Sequence, residues 1–154
     1  MKQYKRIAVA VDLSRESNQI LDQAVSVCAP QAEISLIHVV EPIASPYITT
    51  IPPVQPAGYD LTLMENFKQA AEKQLVELSD DYDRPNLTMH VLTGSPPKEI
   101  RRFAADNNCD LIVIGTHGQH GFELLLGSTA NAVLHGAPCD VLSVRVDLGS
   151  KQED

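Results

Sequence analysis

Two short runs in this chain, Ile7-Ala8-Val9-Ala10-Val11 and Leu111-Ile112-Val113-Ile114, are apolar at every position. A strand with one wet face alternates apolar and polar residues. A strand that does not alternate is covered on both faces, the condition of a parallel sheet between two helix layers. The intervening sequence supplies those helices. Ile20, Leu21, Ala24, Val25 and Cys28 recur at helical spacing after Ser14, which the pattern makes an N-cap, and Pro30 closes the helix. Residues 34–40 read as a second strand, and residues 41–59, with five prolines, as a long loop suited to a partner surface or lid. Leu61, Met64, Phe67, Ala71, Leu75 and Leu78 mark the longest helix. Residues 87–92 form a third strand, ending before Gly94, and Pro96-Pro97 start a helix through Ile100, Phe103 and Ala104. The fourth strand is residues 110–114, the next helix carries Ala130, Val133 and Leu134, and Val141-Leu142-Ser143-Val144-Arg145-Val146 is the fifth strand.

Strand and helix alternating in this way predict an α/β fold, an open parallel five-stranded sheet with helices on both faces. At 154 residues and 44% hydrophobic content, the chain is read as one domain, residues 1–146, with a polar tail, residues 147–154. No apolar run approaches the ~18 residues of a membrane span, and Met1-Lys2-Gln3-Tyr4-Lys5-Arg6 leads into a strand without a secretory apolar region, so a cytoplasmic location is expected. Cys28, Cys109 and Cys139 are odd in number and far apart in sequence, with no Cys-x-x-Cys pair, so they read as buried, inert thiols. A formal charge of -8 argues against nucleic acid or an anionic membrane as the partner. Any bound anion must be held by local backbone dipoles.

The sequence offers one place for such an anion. The fourth strand breaks at Gly115-Thr116-His117-Gly118, and a helix opens at Gly127-Ser128-Thr129. Glycines let main-chain N–H groups approach an anion with no Cβ in the way, and Ser128 adds a hydroxyl as the helix N-cap. In open parallel sheets a ligand sits beyond the carboxyl ends of the strands where strand order reverses. Asp12 and Gly115, which end the first and fourth strands, mark the predicted site. No His-x-x-x-His or Cys-x-x-Cys pair is present, so no metal site is assigned beyond a magnesium ion carried by a nucleotide. His38 and His90 read as partly buried neutral imidazoles.

At this point Ala8-Val9-Ala10-Val11-Asp12-Leu13-Ser14, Leu36-Ile37-His38-Val39, Asp110-Leu111-Ile112-Val113-Ile114-Gly115-Thr116-His117-Gly118, Leu125-Leu126-Gly127-Ser128-Thr129-Ala130 and His135-Gly136-Ala137-Pro138-Cys139-Asp140-Val141-Leu142 together resemble the universal stress protein family. The resemblance covers residues 4–146. It implies strand order 3-2-1-4-5, the arrangement of the adenine nucleotide alpha-hydrolase-like folds, a homodimer through the fifth strands, and a bound adenine nucleotide: ATP, or AMP or ADP, with Mg²⁺ where phosphates carry it. Val11, Asp12, Ser14 and Val39 would surround adenine and ribose, Ile114 and Gly115 would form the opposite wall, and Gly118, Gly127, Ser128 and Thr129 would hold phosphates. Gly118 and Gly127 enclose eight residues where the family's nucleotide-binding pattern has nine, which leaves the number of phosphates open.

No catalytic residue is assigned. Rapid phosphoryl transfer needs a cationic clamp on the terminal phosphate, and no Lys or Arg lies between Gly115 and Asp140. The resemblance leaves room for slow ATP hydrolysis or autophosphorylation at Ser128 or Thr129. A nucleotide-free interaction protein of the same fold, its glycines serving only turns, is the other alternative. The homodimer also follows from the fifth strand itself, an edge with apolar residues on both faces.

Overall fold

The computed structural model describes residues 3–42, 61–116 and 127–147. Five strands and four helices follow in the order β1 (Tyr4–Ala10), α1 (Ser17–Val27), β2 (Cys28–Val40), α2 (Leu61–Ser79), β3 (Leu87–Thr93), α3 (Pro96–Asp106), β4 (Leu111–Gly115), α4 (Ser128–Gly136) and β5 (Asp140–Val144). The strands pair in parallel as β3-β2-β1-β4-β5. The expected fold class and strand order are therefore observed.

Period-two alternation sorts the central strands between two cores. Ile7, Val9, Val11, Leu36, Leu111 and Val113 face α1 and α2, where Leu21, Ala24 and Leu75 meet them. Ala8, Ala10, Ile37, Ile112 and Ile114 face α3 and α4, where Ile100, Ala104, Ala130 and Val133 close the layer. Burial on both faces is what the unbroken apolar runs require. β1 lies between β2 and β4, so the chain turns to opposite sides of it in the two halves, and the crevice opens at the carboxyl ends of β1 and β4.

Local boundaries differ from the sequence expectation for identifiable reasons. Ser14 is not the cap of α1: the helix starts at Ser17, and Glu16 occupies the N-cap position without a side-chain hydrogen bond. The preceding residues are committed to a turn in which the Ser17 N–H donates to the Ser14 carbonyl at 3.2 Å. Nor does Pro30 end α1. The helix stops at Val27, Cys28 already pairs with Tyr4, and the next pair is Arg6 with Glu33, so the ladder slips between them. Pro30 sits in that slipped stretch, where a missing N–H costs the ladder nothing. β5 ends at Val144, although Val146 is still buried. The three cysteines are half-buried rather than buried outright.

Candidate functional site

β1 places Ala8 and Ala10 on the α3/α4 side, and the same alternation carries Asp12, just past the strand, to that side. The turn that follows is unusual. Leu13 has φ 63°, a left-handed conformation uncommon for a residue without a short polar side chain. Asp12 Oδ1 accepts the Ser14 N–H at 3.0 Å, which closes an Asx turn over the strained residue. Asp12 Oδ2 is buried and has no hydrogen-bond partner among the described residues. A buried carboxylate oxygen without a donor is costly unless something supplies one.

The cluster on this side of the sheet is apolar and draws on neighbouring strands. Val39 of β2, Ile114 of β4 and Ala130 of α4 belong to one cluster with Ala10. Gly115, half-buried, ends β4. Val11, by contrast, packs its side chain into the opposite core with Val9 and Val113, and its main chain is engaged with β2. Ser14 contributes its N–H to the Asp12 turn.

The start of α4 faces the same crevice. The Thr116 N–H donates to the Val144 carbonyl at 2.9 Å, and the Thr116 carbonyl accepts the Gly127 N–H. Thr116 and Gly127 are thus joined by one main-chain hydrogen bond. Gly127, not Ser128, is the N-cap, with φ -55° and ψ 150° and no side-chain cap; Ser128 is the first helical residue and is exposed. A cap without a side chain leaves the first N–H groups of the helix open to an outside acceptor, at the positive end of its dipole. Thr129 is half-buried beside them. Gly118, His117 and His120 lie outside the described residues, as does most of the proline-rich segment.

Arg101 and Asp110 are engaged in holding the scaffold together. Arg101 of α3 spans to α4, donating from Nη1 to the Ala132 carbonyl at 3.3 Å and from Nε to the Pro97 carbonyl at 3.2 Å. That cation neutralises the carboxyl end of α4, away from the crevice. Asp110, at the amino end of β4, accepts the N–H groups of Lys5 at 2.9 Å and Arg6 at 3.0 Å. It is a structural clip remote from Asp12, as its position in the sequence indicates. His90 lies against the Phe103 ring, with centroids 4.8 Å apart, and burial lowers its pKa, which keeps the imidazole neutral. Among the described residues no group of three or more His, Cys, Asp or Glu side chains forms a metal site.

Sequence reasoning missed three contributors: Thr116, whose main chain joins β5 to the start of α4; Ala130, in the apolar wall; and His38, whose Nδ1 lies 2.9 Å from the Val11 carbonyl. Thr116 and Ala130 stood inside the quoted motifs without an assigned role. A sequence model described as the Universal stress protein family matches residues 3–145. The chain belongs to the universal stress protein family. Universal stress protein A homolog 1 of Coxiella burnetii is 40% identical over 144 residues, covering 92% of this chain and 96% of the relative. Among solved structures, universal stress protein UspA from Lactobacillus plantarum superposes with a TM-score of 0.73 at 26% identity, covering 94% of this chain and all of that one, 100%. A universal stress protein in complex with cAMP shares the fold at a TM-score of 0.69 and 20% identity, with 95% of this chain and 100% of that chain covered.

Proposed function

We propose that this universal stress protein binds an adenine nucleotide at the carboxyl ends of β1, β2 and β4 and acts in the stress response through the change in surface that occupancy produces. The observation that carries the reading is the buried Asp12 Oδ2, without a donor among the described residues, at the end of the strand whose Ala10 packs in one cluster with Val39 and Ile114. Adenine has the chemistry to fill that place: its flat face suits apolar walls, and its exocyclic amine, or a ribose hydroxyl, supplies the donor. Gly115 gives the base edge close access to main chain. The N–H groups of Ser128 and Thr129, just after Gly127 at the start of α4, suit a phosphate, and the family resemblance would add Gly118. The cAMP complex of a protein with this fold supports an adenine ligand.

ATP is the reference ligand, and AMP or ADP would use the same adenosine half. Mg²⁺ would ride on the phosphates. The setting proposed is a cytoplasmic homodimer, supported by edge strand β5, where Val141, Leu142 and Ser143 are half-exposed in the single chain. None of the helices in the described regions is long and apolar enough to cross a membrane. The deciding experiment is the nucleotide content of the purified protein, released by denaturation and identified chromatographically, followed by calorimetric titration with ATP-Mg²⁺. An adenine nucleotide in the extract, or saturable heat, is expected. Protein that carries none and gives neither heat nor thermal shift at millimolar ATP-Mg²⁺ refutes the reading.

A further inference from the structure

Asp12 can present Oδ2 to a ligand only if the peptide unit before it is held still. That unit is planar and rigid and ends at the Asp12 Cα, so fixing its oxygen fixes the point from which the Asp12 side chain leaves the backbone, and the Asx turn to Ser14 then restricts its rotation. The oxygen is the Val11 carbonyl, and His38 Nδ1 lies 2.9 Å from it. A carbonyl only accepts, so Nδ1 carries the proton and donates. On the other side of Val11, its N–H donates to the Ile37 carbonyl at 2.9 Å. The β1–β2 register, with Ala10 opposite Ile37, brings His38 to this position.

We infer that His38 is a positioning residue for the nucleotide site: its Nδ1–H bolts the Val11–Asp12 peptide to β2 and so aims the free carboxylate oxygen of Asp12 at the ligand. The inference rests on the adenine-nucleotide reading of the site. It explains why the turn tolerates Leu13 at φ 63°. A left-handed leucine is unfavourable alone and persists only where neighbours over-determine the backbone. Here the His38 bond before Asp12 and the Asp12–Ser14 bond after it do so. β2 thereby serves the crevice twice. Val39 joins the apolar wall in the α3/α4 core, and the adjacent His38 holds the turn through the Val11 carbonyl.

The test uses His38→Leu, which removes the donor at similar volume, and His38→Asn, whose side-chain N–H sits at the same bond separation from Cβ as Nδ1–H. Amide hydrogen exchange on the ligand-free protein reads the bolt directly. Exchange at Ser14 should accelerate at least about tenfold in His38→Leu and return near wild type in His38→Asn, while core amides of β1 stay unchanged. Long-range ¹⁵N correlation in wild type should show the Nδ1–H tautomer. Titration with ATP-Mg²⁺ then reads the consequence: about tenfold weaker binding for His38→Leu, rescue by His38→Asn, and less than about a twofold further loss when His38→Leu is added to Asp12→Asn. Unchanged Ser14 exchange in His38→Leu, an Nε2–H tautomer, or losses that multiply in the double variant overturn the inference. A wild-type protein that binds no adenine nucleotide but shows the Ser14 response overturns the site reading while leaving the bolt supported.

Discussion

Gly136, the last residue of α4, is where a single added methyl group should test the packing of α3 on α4. A Cβ built there overlaps Arg101 Nη1 and lies 3.0 Å from Arg101 Cδ and Cζ. The far end of Arg101 must therefore swing away, giving up its hydrogen bond to the Ala132 carbonyl. Losing a hydrogen bond to a charged group costs about 1.5–3 kcal/mol. Against this, alanine in place of glycine in a helix gains about 0.5–1 kcal/mol. Gly136→Ala should therefore destabilise the protein by about 0.5–2.5 kcal/mol, a fall in Tm of roughly 1–10 °C for a chain of this size. In an Arg101→Ala background the obstruction is gone and only the helix gain remains. There the same substitution should raise stability by about 0.5–1 kcal/mol. Urea unfolding of the four proteins gives the sign in each background. If Gly136→Ala stabilises the wild type, or shifts both backgrounds equally, Arg101 does not occupy that space and the account of the α3–α4 contact is wrong.

Other consequences are as open to measurement. Asp12→Asn keeps an acceptor for the Ser14 N–H but turns an amide donor toward the ligand's donor, so ATP affinity should drop by about 1.5–3 kcal/mol with little change in unfolding free energy; equal affinity in calorimetry would clear Asp12 of any role. Asp12→Ala also loses the Asx turn and should cost about 1 kcal/mol of stability in denaturant unfolding. The Cys109 thiol is pushed from 9.0 up to about 11, first by burial, then by Cys139 and Asp110. Folding therefore favours its protonated form, the contribution is intact below pH 9, and it is lost as pH rises toward 11. Iodoacetamide should accordingly label Cys109 slowly at pH 8 and much faster near pH 11, and rapid labelling at pH 8 contradicts the burial. Sedimentation at micromolar concentration should give a dimer, and a monomer there would refute pairing through β5.

The architecture was legible because its strongest signals were local. Ile7–Val11 and Leu111–Ile114 lack alternation, and two covered faces follow from that alone. The carboxyl ends of β1 and β4 followed from element order. What escaped depended on register and main-chain conformation. Nothing in leucine announces a left-handed φ at position 13; neighbours impose it. His38 looked like an ordinary strand residue, since its contact exists only once Ala10 pairs with Ile37. Ser14 and Ser128 have the composition of helix caps, yet Glu16 and Gly127 hold the cap positions because the main chain before each helix is tied into other bonds.

The hydrogen bond from Gly127 to Thr116 separates length from position in this fold. Because the chain departs and returns at one bond, whatever lies between is bounded by a junction belonging to the sheet and α4. Adding one residue to the ten between these ends would change loop-closure entropy by only about 0.1 kcal/mol. A change of length there would cost the fold little, while the bond holds the start of α4 against the end of β4.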